Sequence, residues 1–358
     1  MDRIFLITDY NNEFLIQLDD NNNYVSMDIN HLKACFEEKG YELVVTNYSK
    51  LDLERDYNNA YILYQTSEAN GQFYKKYIED MICHFEKLGA VPMPCYEYLK
   101  AHHNKGYMEL LKSRFVDEEL KTIKSKYFGT MGEALSYTPE YPVVIKKISG
   151  AGSIGVYLAK NDKEYTHYVK EATKTIIGEH LFQVVERASK EWVKKIFSPM
   201  LKPQNKNQSI HTDRPIVVQN FVSNLQGDYK VLYYGGKYYT LYRKNRDDDF
   251  RASGSGKLCE VPIEENDALL DFAEKVKQEI DFPIIGMDIG HDGNKFHLLE
   301  FQMIHLGPYA LLKSDYYFVR DQGKWKSIQE KSDLSTEFAR SICAYIESKK
   351  HLAVEVDN

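Results

Sequence analysis

Three oxygen-bearing side chains interrupt stretches that are otherwise apolar. Asp288 falls in IIGMDIG, and Glu300 and Gln302 fall in HLLEFQM. The two stretches read as strands of a hairpin turning near Asp292–Gly293. Glu300 and Gln302, two apart, then share a face, and Asp288 can reach that face from the facing strand. Two carboxylates and an amide oxygen are hard ligands, suited to Mg²⁺ shared with nucleotide phosphates. The plainer alternative, acids exposed at strand ends, fits less well inside apolar strands. A second group lies in VVIKKISGAGSIGVYLAK, where Gly150, Gly152 and Gly155 have the spacing G-x-G-x-x-G. Lys146 ends the apolar strand before them. Its ammonium either neutralises phosphate charge or simply ends a strand in solvent.

That glycine spacing suits a dinucleotide-binding turn, a lid over ATP phosphates or a plain hairpin loop. The dinucleotide turn needs a helix after the glycines, whose N-terminus holds the pyrophosphate. Here VYLAK follows, which is short, β-branched and aromatic, and reads as strand. No Lys-Ser/Thr pair follows either, which excludes a Walker A loop. Strand, glycines, strand leaves the lid, with backbone N–H groups closing over phosphates, or the plain loop.

The elements that must position these residues are legible along the chain. Arg3 to Thr8, YELVVTNY and AYILYQTS read as strands; Asp28 to Lys39 and Tyr74 to Leu88 read as helices closed by Gly40 and Gly89. With AVPMPCY opening a further strand, the first hundred residues suggest a small parallel α/β unit. A helix starts at Lys105, a short one is expected in TMGEALSY, and a mostly helical stretch from Asp162 to Ile196. IVVQNFV, a hairpin turning at Gly235–Gly236, and KLCEVPI read as strands, and Asn266 to Ile280 and Thr336 to Lys349 as helices. The 358 residues are enough for two or three subdomains, with 43% hydrophobic and 28% charged residues marking a soluble globular class. A net charge of −7 argues against a protein dedicated to nucleic acid. No apolar run approaches the ~18 residues that span a bilayer. Five scattered cysteines without a C-x-x-C pair lead us to expect reduced thiols, a cytoplasmic chain and no zinc site.

Taken together these segments resemble the ATP-grasp superfamily over nearly the whole chain, in the carboxylate–amine ligase branch that includes ribosomal-protein glutamate ligases and D-alanine–D-alanine ligases. HHNKGYMELL is similar to the helix start carrying a first nucleotide lysine, here Lys105. YPVVIKKISGAGSIGV is similar to the second lysine, Lys146, followed by the lid with Gly150, Gly152, Ser153 and Gly155. VVQNFVS resembles the hinge strand that meets adenine through backbone groups, here Gln219, Asn220, Phe221 and Val222. GDYKVLYYGGKYY resembles the segment whose acid, here Asp228, faces the ribose hydroxyls. LYRKNRDDDFRASGSGK resembles the basic stretch, with Arg243 and Arg251. Asp288, Glu300 and Gln302 match the metal ligands. Three departures stand out: Gln302 where Asn is common, Asn220 where Glu is common in the hinge, and Lys230 where Arg is frequent.

The resemblance implies an α/β (α+β) ATP-grasp fold with an N-terminal parallel α/β subdomain. It implies three segments: 1–100, the α/β unit; 101–200, carrying the lid; and 201–358, carrying hinge and metal. It implies ATP with two Mg²⁺ ions, Mn²⁺ being an alternative, and Glu300 as the bridge between the ions. The implied reaction joins a small-molecule or peptide carboxylate to an amine through an acyl phosphate, with Arg243, then Arg251, as the cation facing the tetrahedral oxyanion. A kinase acting on a small hydroxylated substrate is the alternative. No nucleic-acid or membrane partner is expected, and a homodimer is compatible. Of His291, His297 and His305, all near the metal strands, His305 can reach the substrate side, although a lone histidine is more often structural. The basic segment Lys190–His211 reads as a solvated loop or as a cover that guides an anionic acceptor.

Overall fold

The computed structural model describes residues 2–19, 23–66, 73–150, 155–174, 214–245, 250–251, 258–259 and 266–356. The chain is mixed α/β, with a parallel sheet first and antiparallel sheets after it. It divides into two compact units: Met1–Thr122 with Val222–Asn358, and Ile123–Phe221.

In the first unit, strand Asp2–Thr8 lies between Tyr41–Asn47 and Tyr61–Tyr64, with Val91–Met93 at one edge, and every pair is parallel. Parallel neighbours need crossovers, and helices Ile29–Glu38 and Phe73–Lys87 supply them. Both faces of the central strand are therefore buried. Ile4 and Leu6 cluster with Leu32 and Phe36 of the first helix, and Phe5 and Ile7 with Ile78, Ile82 and Phe85 of the second. This is why the run IFLI is apolar at every position and does not alternate. Asp28 starts the first helix by accepting N–H bonds from Asn30 and His31 at 2.9 and 3.1 Å. Gly40, at φ 86, takes the left-handed turn that ends it.

The same unit carries a seven-stranded antiparallel sheet. Its order is Phe296–Gln302, Ile284–His291, Gly227–Tyr234, Lys237–Lys244, Tyr317–Asp321, Lys324–Ile328, with Leu258–Cys259 beside Lys237–Lys244. One face buries Val231, Tyr233, Ile285, Met287, Ile289 and Phe301 together with Leu269, Ala273 and Val276 of helix Asn266–Glu279. The last helix, Leu334–Val356, closes the unit: its Phe338 meets the rings of Phe14 and Phe36 at 5.9 and 6.5 Å. Residues from both ends of the chain thus share one core.

The second unit is a four-stranded antiparallel sheet in the order Ser125–Phe128, Ile216–Asn220, Val143–Lys147, Val156–Ala159. Helices Met131–Ser136 and Asp162–Thr173 cluster on one face through Ala134, Tyr165, Val169 and Ala172, against Val143, Ile145, Ile216 and Val218. The helix expected up to Ile196 is described as far as Thr173, and the segment Lys190–His211 lies outside the described residues. Two hairpins escaped the sequence reading: Ile16–Leu18 with Tyr24–Ser26, and Tyr317–Asp321 with Lys324–Ile328. No helix among the described residues is long and apolar enough to cross a membrane.

Candidate active site

Strand register gathers the expected oxygen donors on one face of the seven-stranded sheet. Asp288 stands opposite Glu300 and Lys230, Gln302 opposite Gly286, and Arg243 opposite Asp228. Directly opposed residues share a face, as do residues two apart. Asp228, Lys230, Arg243, Asp288, Glu300 and Gln302 therefore stand together, opposite the apolar core face. A β-bulge after Asp288 makes this compatible with the core. Past it, Ile289 pairs with Leu298, so Leu299 is the extra residue. Leu298 turns into the core at 1% exposure while Glu300 and Gln302 keep company with Asp288.

Four of these side chains form a closed ionic network. Lys230 Nζ lies 3.0 Å from Asp288 Oδ1, and Arg243 Nη2 lies 2.8 Å from Asp288 Oδ2. The Arg243 fork also donates to Asp228, through Nε to Oδ1 at 2.9 Å and through Nη2 to Oδ2. Two cations and two carboxylates balance in a site where three of the four side chains are less than a fifth exposed and Asp228 only 1%. Burial and the nearby Asp288 charge push the Asp228 carboxyl up to about 6, against the pull of Arg243 and Lys230. Burial also works against Asp288, but Lys230 and Arg243 outweigh it and hold that carboxyl well below its usual range. Burial works against the Arg243 cation too, and Asp288 and Asp228 outweigh that, raising its pKa. Gly286 makes room for the arrangement: a Cβ there would stand 3.3 Å from Lys230 Nζ and 3.2 Å from Leu306.

Glu300 is the more open member, its side chain 39% exposed, with Lys105 Nζ at 3.8 Å from Oε1. Lys105 is the first residue of helix Lys105–Lys112, which Asn104 caps by accepting the Tyr107 N–H at 3.1 Å. Among the other expected residues of this unit, Arg251 has its guanidinium over the Phe250 ring, 5.9 Å from the centroid. His297 is held between Asp292 Oδ2 and Thr122 Oγ1, both at 2.8 Å, which is a structural role. His305 Nε2 lies 2.9 Å from the Thr66 carbonyl oxygen, with its ring 5.4 Å from that of His102.

The second unit holds the remaining candidates. Lys146 stands opposite Val217, and Val144 opposite Gln219, so Lys146, Val144, Val217 and Gln219 share the face turned away from the helices. Gly150 and Gly155 take φ 126 and 77, and Gly155 returns the chain by accepting the Lys147 N–H at 2.9 Å. A Cβ on Gly155 would stand 2.7 Å from the Lys147 side chain, so both its angle and its space call for glycine. Gly152 and Ser153 lie outside the described residues. Gln219 donates to Ser125 Oγ at 2.8 Å, and Asn220 Oδ1 accepts the Lys124 N–H at 2.6 Å. The boundary between the units falls between Phe221 and Val222, inside the expected hinge.

The sequence marks Lys230 only as a departure from a family pattern, yet it is the direct partner of Asp288. A signal was available: Asp228 and Lys230 are two apart in a strand that is otherwise mostly apolar or aromatic.

No protein-family model matches the chain and no curated protein matches it. Among solved structures it is similar to D-alanine–D-alanine ligase from Bacillus anthracis complexed with ATP, at 14% identity over 98% of each chain, with a TM-score of 0.49. It is similar to a RimK domain ATP-grasp protein from Sphaerobacter thermophilus, at 11% identity over 95% of this chain and 99% of that one, TM-score 0.46. It is also similar to the D-cycloserine synthetase DcsG, at 11% identity over 96% of this chain and 99% of that one, TM-score 0.48.

Proposed function

We propose that the protein is an ATP-dependent carboxylate–amine ligase of the ATP-grasp type. The observation that carries this reading is the convergence of Asp288, Glu300 and Gln302 with Lys105, Lys230 and Arg243 through one face of the seven-stranded sheet. Hard oxygen donors beside fixed cations are what the transfer of a phosphoryl group requires. Glu300 and Gln302 fit a divalent metal well, since an amide oxygen and a half-open carboxylate share the face. Asp288 fits once one of its two cations moves to a substrate, because both of its oxygens are engaged. A bound Mg²⁺ offsets the charge on the transferred phosphoryl oxygens.

In this reading a substrate carboxylate attacks the γ-phosphorus of ATP in line, giving an acyl phosphate and ADP. An amine then attacks the acyl carbon and phosphate leaves, so each amide formed accompanies one ADP and one phosphate. Lys105, Lys146 and the glycines at 150, 152 and 155 with Ser153 are the proposed phosphate contacts. The backbone of Gln219 to Val222 is the proposed adenine contact. Arg243 is the proposed partner of the tetrahedral oxyanion, with Arg251 as second choice. Asp228, the proposed ribose contact, also aims Arg243, since both its oxygens accept from that guanidinium.

ADP and phosphate release, measured against a panel of amino acids, dipeptides and uronic acids with mass spectrometry of the product, tests the proposal. An amide product with ADP and phosphate in equal amounts supports it. A phosphorylated product without free phosphate contradicts it.

A further inference from the structure

Away from the sheet face, three side chains with metal-binding atoms meet at the junction of two helices. His31 and Cys35 are four apart in helix Ile29–Glu38 and so point the same way. Asp333 directly precedes helix Leu334–Val356 and packs against them. His31 Nε2 lies 3.1 Å from Asp333 Oδ1 and 3.9 Å from Cys35 Sγ, and all three ligand atoms fall within 4.8 Å of one another. Both neighbours address the same ring nitrogen. Cys35 Sγ also has Thr336 Oγ1 at 3.8 Å, so the cluster is hydrogen-bonded without an ion. A metal ion takes all three donors at once. Around zinc, with bonds of about 2.0 to 2.3 Å, tetrahedral donors stand roughly 3.3 to 3.8 Å apart. The three atoms, within 4.8 Å of one another, must draw together by about an ångström to reach that spacing.

We propose that His31, Cys35 and Asp333 bind one divalent transition-metal ion, zinc fitting best, as a clamp between the first and last described helices. The donor set of imidazole, thiolate and carboxylate is the borderline mixture that zinc takes and that Mg²⁺ does not. Asp333 Oδ1 is occupied by the Thr336 N–H and hydroxyl, both at 2.8 Å, while Oδ2 makes no hydrogen bond among the described residues. Oδ1 holds the helix start and is also the oxygen 3.1 Å from His31, so the carboxylate turns to bring Oδ2 to the ion. Cys35 is buried at 6% exposure, whereas the side chains of His31 and Asp333 are 49% and 55% exposed. The site opens to solvent on one side, which admits the ion and leaves its fourth position to water. On binding, the Cys35 thiol gives its proton to solvent. The sequence reading expected no zinc site because it sought paired cysteines.

The test is titration of the metal-free full chain with Co²⁺ and Zn²⁺, comparing wild type, His31→Ala and Cys35→Ser. The expected wild-type result is one Co²⁺ per chain with a thiolate-to-cobalt charge-transfer band, displaced by Zn²⁺, and a melting temperature that rises with Zn²⁺. His31→Ala, at a half-exposed position, should weaken affinity at least about tenfold. Cys35→Ser should remove the band. A wild-type chain without the band, or a band and affinity unchanged in both variants, overturns the proposal. Mg²⁺-dependent ADP release should be the same in wild type and His31→Ala, which keeps this test separate from that of the ligase reading.

Discussion

Strand Asp2–Thr8 and strand Gly227–Tyr234 are both central strands of a sheet in the same unit, and they use their two faces differently. In the first, Ile4 and Leu6 serve one core cluster and Phe5 and Ile7 the other, so both faces serve stability. In the second, Val231 and Tyr233 face the core, while Asp228 and Lys230 face the ionic network with Arg243 and Asp288. A parallel strand covered by helices on both sides has no face left for chemistry. The antiparallel strand is divided along its length: Leu232 and Tyr234, on the same face as Asp228 and Lys230, are buried in the core, and only its first half leaves a face for charges, which the sheet register holds in place.

Substitutions can break this contrast in either direction. The largest effect is expected at Glu300. Glu300→Gln should lower kcat by about 10²- to 10³-fold if the proposed function holds, because a charged carboxylate on the polar face becomes neutral at nearly equal volume. Its urea midpoint should stay at the wild-type value, since Glu300 is half-open to solvent. Leu6→Ala, at 0% exposure, should do the reverse and cost about 2 to 5 kcal/mol of stability by urea unfolding. Its turnover per folded molecule should be kept. Lys230→Met lies between the two: Asp288 loses one of its cations but keeps Arg243, so we expect a loss of about 1 to 3 kcal/mol together with a fall in turnover. An unchanged urea midpoint and turnover in Lys230→Met would remove the network from the account.

The smallest effect is expected at the far end of the sheet face, where Asp292 holds His297. The hydrogen bond from the His297 ring, then the Lys295 N–H, keeps the Asp292 carboxyl below its ordinary range. A folded pKa below the unfolded value contributes stability that is fully present above the unfolded pKa, about 4, and is lost as pH falls through the folded one. Asp292→Asn should therefore cost less than about 1 kcal/mol at neutral pH, and less again at pH 3, where the unfolded-state carboxyl is already largely protonated. Urea unfolding at pH 7 and pH 3 checks both halves of that statement; an equal cost at the two pH values contradicts it.

Much of the fold was legible because its signals are local. Asp28 marks a helix start, Gly40 a helix stop, and Gly235–Gly236 a hairpin at φ 49 and 96, and each lies where the sequence predicts it. The face shared by Asp288, Glu300 and Gln302 was legible for the same reason, since the period of a strand and one turn determine it. The bulge after Asp288 was not, because it depends on Leu298 finding the core. The bond between Arg243 and Asp228 was not legible either, since residue types alone do not say which acid a guanidinium takes. His31 and Asp333 are 302 positions apart, and only the packing of the first helix on the last brings them together. The unit built from residues 1–122 and 222–358 escapes a linear reading for the same reason.

The most direct test of the polar face as a nucleotide–metal site is the melting temperature with ATP, with Mg²⁺ and with both. It should be measured for wild type and for the double variant Glu300→Gln/Gln302→Leu. We predict a wild-type rise that needs ATP and Mg²⁺ together and does not occur with NAD. In the double variant we predict an unchanged melting temperature without ligand and no rise with Mg²⁺ and ATP. A double variant that keeps the full Mg²⁺-dependent rise would contradict the account.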